Sequence, residues 1–502
     1  MQGKSSPLAL DRNVSLFSAD SMRTEWPRHS LFVAIFRWFC YGNIDFFINT
    51  AKGRAMRVGC IGAGYVGLVT SALMAQKGHE VLCIERDIRK ISLLRQARVP
   101  FFEPGLEDIL RETLHNGQLQ FSTDIAALGE FNPKAVFICV GTPSSEDGGA
   151  DTRMVMEVVD QLAGTLEAQS VVVLKSTVPL GTYRRVDLEL KAKARVPLYV
   201  ANNPEFLREG SAVRDFLYPD RIVIGYEDER ARGVLEELYA PFFEASGAAL
   251  WMDPASAELI KYASNAFLAL KISFVNLMGD LAAKTGGDIW KVAQGVGMDK
   301  RIGPHFLSPG LGYGGSCLPK DTRALISTLE SLGLDQGLFR SVERINAFRI
   351  DLALEVLKGA LGGPLEGAVL GVWGAAFKAR TDDIREAPSL RLIQALLDSG
   401  TKVKVYDPKA MDNLKGLFGR KIEYAKDAYD AASDVDALAL ATEWPEFLEL
   451  SFDRVKGLMR QPVIIDCRSH LRGLQLESKG FYYATLHGPA MPPAPISAGS
   501  LL

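Results

Sequence analysis

Short, nearly continuous apolar runs recur along the chain from Met56, and each ends in glycine, threonine, proline or an acid. MRVGCIGAG, EVLCIERD, KAVFICVGTP, SVVVLKSTVP, LYVANNPEF and DRIVIGYED read as strands. YVGLVTSALMAQKG, closed by Gly78, and residues 91–98 read as helices between the first of them. Strands that are apolar on both faces and alternate with helices predict a parallel sheet covered on both sides. Ligands of such sheets bind beyond the strand ends, where these glycines, threonines and prolines lie.

Over residues 256–297 the period changes. SAELIKYASNAFLALKISFVNLMGDLAAKTG has no proline, no glycine before Gly279, and apolar residues at helical spacing. It predicts one long helix that joins two domains and offers a dimer surface, with a plain core helix as the alternative. A second alternation starts near Gly363: EGAVLGVWGAAF, SLRLIQALLDSG, KVKVYDP, VDALALATEW and PVIIDCRSHL read β-α-β-β-β with helices between. The expected domains are therefore residues 56–250, a central helical region 251–345 and a smaller nucleotide-binding α/β domain 346–487.

The chain has 502 residues, 47% of them hydrophobic and 23% charged, with a formal net charge of −3. That balance suits a soluble globular protein of several domains and offers no general hold on nucleic acid or an anionic membrane. An anionic ligand must then be met by local cations and helix N-termini. Six cysteines without a CxxC pair predict neither a secreted disulfide framework nor a zinc site, and fit a cytoplasmic protein without metal. The apolar stretch from Leu31 to Ile48 is broken by Arg37, Asn43 and Asp45, so it reads as neither a spanning helix nor a signal peptide. Residues 1–55 are read as a weakly structured extension that arises from start-site choice. The Pro/Ala/Ser-rich residues 488–502 are read as a disordered tail.

Four motifs carry chemistry. GAGYVG follows a strand and opens a helix: Gly62 permits the turn, Gly64 lets backbone approach a pyrophosphate, and Gly67 lets helix and strand pack closely. Glu85 ends the next strand and suits a ribose diol, which favours NAD over NADP; a flavin dinucleotide would leave Cys317 unexplained. GLGYGGSCLPKD places Cys317 in a glycine-rich loop beside Lys320, a cation able to lower its pKa. It is a nucleophile or an incidental cysteine in a phosphate loop. In NNPEFLREGSAVRDF, Glu205 and Glu209 would share one face of a helical turn, as general base and ligand contact or as solvated acids. Lys261 and Asn265, also four apart, form an oxyanion-stabilising pair or a solvated face. The expected class is α/β, two Rossmann-like parallel-sheet domains joined by a long central helix.

Residues 56–485 resemble the UDP-glucose/GDP-mannose dehydrogenase family through GAGYVGLV, VGTP, KSTVPLGT, NPEFLREGSA, KYASNAFLALKISFVN, RIGPHFLSPGLGYGGSCLPKD, FKARTDDIRE, VYDPKA and ATEWPEF, in that order. IDCRSHL and ATEWPEF favour its UDP-glucose branch over GDP-mannose. The resemblance implies oxidation of a sugar C6 alcohol to a carboxylate with two NAD and one water. It makes Cys317 the covalent nucleophile, Glu205 the acid/base, Lys261 and Asn265 the oxyanion holders, and Thr177 and Asp321 the water-positioning pair. It assigns NAD contacts to Tyr65, Val66, Lys90, Thr142, Thr177, Glu209, Lys320 and Arg385 besides the GAGYVG glycines and Glu85. It assigns UDP-sugar contacts to Phe206, Leu207, Arg301, Ser308, Leu311, Tyr313, Gly314, Phe377, Lys378 and Arg468, shared with Glu205, Lys261 and Asn265. Residues 308–314 would offer backbone donors. A homodimer or larger homo-oligomer is expected.

Overall fold

Valine, isoleucine and leucine fill the strands because a sheet covered on both faces has no polar side, and β-branched chains pack well on a pleated surface. A computed structural model describes residues 55–488 except 146–147, 167–168 and 247–248. The expectations for residues 1–54 and for the tail after Gly488 lie outside the described residues.

The first sheet contains β1 (Arg57–Ile61), β2 (Glu80–Ile84), β3 (Leu119–Ser122), β4 (Ala135–Ile138), β5 (Ser170–Leu174), β6 (Leu198–Asn202), β7 (Ile222–Tyr226) and β8 (Ala249–Met252), in the spatial order 3-2-1-4-5-6-7-8. β1 to β6 are parallel. β7 pairs antiparallel with β6, and β8 runs with β7. DRIVIGYED is thus a strand, but it departs from the expected all-parallel sheet. Parallel neighbours need a crossover along the sheet. Residues 203–221 instead turn back at the same end and leave Glu205 and Glu209 beyond the β6 terminus.

The second sheet contains β9 (Val369–Trp373), β10 (Lys402–Tyr406), β11 (Glu423–Tyr424), β12 (Ala437–Leu440), β13 (Val463–Asp466) and β14 (Tyr482–Thr485), in the order 11-10-9-12-13-14, all parallel. Both sheets therefore repeat the doubly wound order with a switch point beside the first strand. Trp373, wholly buried, stacks on Phe447 at 5.2 Å in the core of the second.

Between the sheets runs the helix Pro254–Thr285. Asp253 caps it by accepting from the Ser256 N–H, and Pro254 opens its first turn. It stops at Gly286 in the left-handed conformation; Asp288 then caps a separate helix, Ile289–Met298. The apolar pattern to residue 297 is therefore two helices divided by Gly286–Gly287. The long helix is apolar and long enough to cross a membrane by composition alone. Yet it buries Lys261, Asn265 and Asn276 within the protein, as a core helix does. The helices Leu318–Ser331 and Gly337–Leu361 pack on it, and the latter runs across residue 345 towards the second sheet.

Candidate active site

The glycines of GAGYVG lie where β1 meets the helix Tyr65–Gln76, at the switch point. A Cβ on Gly67 would stand 1.8 Å from the Gly62 carbonyl oxygen, so only glycine allows this helix to start so close to the strand. A Cβ on Gly64 would meet nothing within 4 Å, which leaves its backbone open to a ligand. Glu85 closes the site: it accepts from Ala63 N–H at 3.1 Å and Asp87 N–H at 3.0 Å, with Lys90 Nζ at 3.7 Å. Open backbone at a helix N-terminus with a buried carboxylate beside it fits a pyrophosphate and a ribose diol. Val66 follows in the first helical turn. The Tyr65 hydroxyl bonds Glu103 and accepts from Gly210 N–H, so it ties two loops together. Thr142 and Thr177 meet beyond β4 and β5, where Thr142 Oγ1 donates to Thr177 O at 2.7 Å.

Cys317 immediately precedes the helix Leu318–Ser331 and is partly buried. Around it, Lys261 Nζ donates to Glu205 Oε1 at 2.8 Å and to Glu205 O at 2.7 Å. Asn265 Nδ2 donates to Asp321 Oδ2 at 2.6 Å. Lys261 and Asn265 do share a face, as their spacing predicts, but each holds a different carboxylate. Burial opposes ionisation of Glu205; the charge and hydrogen bond of Lys261, with the Leu207 N–H and Lys175, outweigh it and hold the pKa low. Burial likewise opposes the charge of Lys261, but Glu205, Cys317 and Asp321 hold its pKa above the usual range.

Two expectations change here. Lys320 pairs with Asp321 at 2.6 Å, and it is Lys261 that pulls the Cys317 pKa down. Burial, with Glu205 and Asp321, outweighs that pull, so the thiol pKa lies above its usual value. Glu205 and Glu209 lie in a loop and turn rather than on a helix, and they bond different partners. Glu209 accepts from Ser316 Oγ at 3.2 Å and Arg385 Nη2 at 3.2 Å. Burial and the Asp383 carboxylate push it up to about 8, against Arg385 and Lys378.

The second sheet closes the site through FKARTDDIRE. Gly315 N–H donates to Arg385 O at 3.1 Å, and the Phe377 ring lies against Gly315. Lys378 stands 5.4 Å from the Phe377 ring centre, with its pKa lowered by burial. Phe206 lies under the Arg221 guanidinium at 4.0 Å, and Leu207 N–H bonds Glu205. Leu311, Tyr313 and Gly314 are buried, and Ser308 is exposed. Within the loop 308–314, the Gly310 and Tyr313 N–H groups are not open donors: Asn276 and Asn346 accept from them. Arg468 donates to Gly312 O at 2.8 Å and Ala441 O at 2.9 Å. Arg301 departs from the expected cluster. Its side chain is 89% exposed and its guanidinium pairs with Asp299. Sequence reasoning passed over Lys175, buried and bonded to Asn203 at 2.9 Å, although it opens the KSTVPLGT segment. It also passed over Glu103, whose signal is only an acid in an apolar stretch.

A dinucleotide-binding sheet, a second sheet of the same order and a thiol among paired lysine and carboxylate groups define a nicotinamide-dependent oxidoreductase. Three family domains match the chain in order: the UDP-glucose/GDP-mannose dehydrogenase NAD binding domain over residues 56–243, the central domain over 255–348 and the UDP binding domain over 371–473. The chain is 44% identical over 444 residues to a UDP-glucose 6-dehydrogenase of Pseudomonas aeruginosa, covering 86% of this chain and 98% of that one. It is 42% identical over 438 residues to one of Rhizobium meliloti, covering 86% and 100%. A UDP-glucose dehydrogenase structure from Pyrobaculum islandicum superposes with TM-score 0.79 at 39% identity, over 85% of this chain and 97% of that one. A UDP-D-ManNAc dehydrogenase from Pyrococcus horikoshii gives 0.76 at 27% identity, over 87% and 100%. The chain belongs to the UDP-glucose/GDP-mannose dehydrogenase family and is an NAD-dependent enzyme of that family.

Proposed function

We propose that the protein oxidises UDP-glucose at C6 to UDP-glucuronate, through a covalent adduct on Cys317. The carrying observation is the Cys317 thiol set among Lys261–Glu205 and Asn265–Asp321, two pairs bonded at 2.8 and 2.6 Å. The UDP binding domain match and the relatives' names support the substrate.

NAD, when bound, accepts the hydride of each oxidation, and the C6 hydroxyl proton of the first passes to water oriented by Thr177 and Asp321. Lys261 Nζ steadies negative charge on the C6 oxygen in the aldehyde and tetrahedral stages, with Asn265 beside it. Cys317 Sγ adds to the aldehyde carbon and holds it as a thiohemiacetal, then as a thioester, so the aldehyde is not lost between cofactor exchanges. Attack by the thiol releases its proton to Asp321, which leaves the Glu205 carboxylate free for the hydrolysis step. Water then attacks the thioester carbon, Glu205 takes a water proton, and the C–S bond breaks to free the carboxylate and the Cys317 sulfur. Thr177 and Asp321 orient that water. Lys378, Arg468 and Phe377, which the family resemblance assigns to the UDP-sugar, would hold the UDP group. The enzyme acts in the cytoplasm, and as a homodimer or larger homo-oligomer; the exposed Phe267, Phe274, Leu277 and Leu281 on the long helix support the oligomer.

A panel of UDP-glucose, GDP-mannose and two UDP-N-acetylhexosamines tests this by NADH formation. The expected result is turnover of UDP-glucose with twice as much NADH as substrate, abolished in Cys317→Ser. Preference for GDP-mannose overturns the substrate, and normal uronate production by Cys317→Ser overturns the covalent route.

A further inference from the structure

A loop rich in glycine loses more backbone freedom on ordering than any other, so a rigid glycine loop needs something to hold it. Residues 310–313 are Gly-Leu-Gly-Tyr and are buried. Three side chains from three elements grip their backbone. Asn276, wholly buried on the helix Pro254–Thr285, accepts from Gly310 N–H through Oδ1 at 2.8 Å. Asn346, buried on the helix Gly337–Leu361, accepts from Tyr313 N–H at 2.8 Å and donates Nδ2 to Tyr313 O at 3.1 Å. A single carboxamide thus satisfies both polar groups of one loop residue. Gly312 lies directly on it, since a Cβ there would come 2.3 Å from Asn346 Oδ1. From the second sheet, Arg468 Nη1 donates to Gly312 O at 2.8 Å.

Helix formation does not account for these asparagines. Asparagine is a weak helix former, and burying its carboxamide costs free energy unless hydrogen bonds repay it. Asn276 spends only its acceptor on the loop: its Nδ2 has no hydrogen-bond partner among the described residues.

We propose that Asn276 and Asn346 are positioning residues that pre-shape the glycine loop 310–313 as a rigid cradle for the nucleotide sugar. The ordering cost of the loop is then met on folding rather than on binding, which is how preorganisation raises affinity. The ligand assignment rests on the function proposed above; the loop geometry does not. The prediction separates binding from chemistry, because the loop grips touch neither Cys317 nor the residues bonded around it.

The test compares Asn276→Leu with Asn276→Asp, and Asn346→Leu with Asn346→Asp. Leucine keeps the shape without an acceptor; aspartate keeps Oδ1. Both leucine variants should raise the KM for UDP-glucose at least about tenfold, as loss of a buried hydrogen bond does, with kcat and the KM for NAD within about threefold. Aspartate should restore most of the loss at 276, where only the acceptor is used, and less at 346, where the donor is lost too. A lowered melting temperature with an unchanged KM for UDP-glucose in the leucine variants would reduce both asparagines to fold supports and overturn the inference. So would kcat and both KM values changing together. The two positions carry the comparison separately, so failure of one variant to fold leaves the other decisive. Calorimetric titration with UDP reads the loop without the chemistry. If the wild type binds UDP but does not oxidise UDP-glucose, the substrate assignment fails, and the inference is judged on UDP affinity. If the wild type binds no UDP, the inference fails as well.

Discussion

Burial raises the Cys317 thiol above its usual range, Lys261 pulls it down, and Glu205 and Asp321 push it up again. The thiolate is the reactive form of cysteine, so a raised pKa makes an unliganded thiol slower to react at a given pH. The expected signature is a slow, pH-dependent alkylation. Without substrate, the iodoacetamide rate at Cys317, followed by peptide mass spectrometry, should keep rising well beyond the ordinary thiol pKa. Lys261→Met should shift the curve further up, because it removes the cation that favours the thiolate. A rate that levels off near the ordinary value of about 8.5 would contradict this account.

The first βα turn shows how an element can depend on one missing methyl group. The helix Tyr65–Gln76 starts so near β1 that a Cβ on Gly67 would overlap the Gly62 carbonyl at 1.8 Å. Gly67→Ala should therefore destabilise the fold by about 1–3 kcal/mol, the usual cost of overpacking, and weaken NAD binding as well. Gly64→Ala is the informative partner. Its Cβ would have open space within 4 Å, so the melting temperature should hold while NAD affinity falls. Equal loss of stability in both variants would mean that Gly64 does not face the cofactor. The same scale explains the reversed β7–β8 pair. It follows from a link that turns back at the ligand end of the sheet rather than crossing it.

Across the whole molecule, Glu209, beyond β6 of the first sheet, reaches the loop after β9 of the second: it bonds Ser316 beside the cysteine and Arg385 between β9 and the helix Pro388–Asp398. Its folded-state pKa of about 8 lies above its unfolded value. A raised carboxyl favours the folded state most fully below the unfolded pKa, and that contribution is lost as pH rises through the folded pKa. Glu209→Gln should therefore gain on the wild type between about pH 5 and about pH 9, ending a few degrees higher in Tm relative to the starting gap. Parallel melting curves across that window would show that Glu209 titrates normally. The exposed residues Phe267, Phe274, Leu277 and Leu281 recur along one long helix and suit a partner copy. If the proposed homo-oligomer forms through this face, Phe274→Glu should lower the mass seen by light scattering, and an unchanged mass would count against this face.

Periodicity by itself determined the class and most strands, because fully buried parallel strands are written as continuous apolar runs that need no distant information. GAGYVG with Glu85 determined the dinucleotide site for the same local reason: its glycines answer to a turn only a few residues long. Short edge strands such as Leu119–Ser122 and Glu423–Tyr424 were not legible, since they carry few apolar residues and owe their form to a neighbouring strand. The Glu205–Glu209 spacing suggested a shared helical face, but buried partners drew the two acids apart: Lys261 on one helix and Arg385 before another. Lys320 adjoins Asp321 in sequence and pairs with it, so the cation that acts on Cys317 had to come from the long helix, 56 residues earlier than Asp321's neighbour Cys317 in the chain. Asn276 and Asn346 look like ordinary helix positions until the helices converge on the loop. Local sequence could name the chemical groups. Only the tertiary structure decided which charge meets which, because Coulomb and hydrogen-bond energies depend on separation in space and on burial.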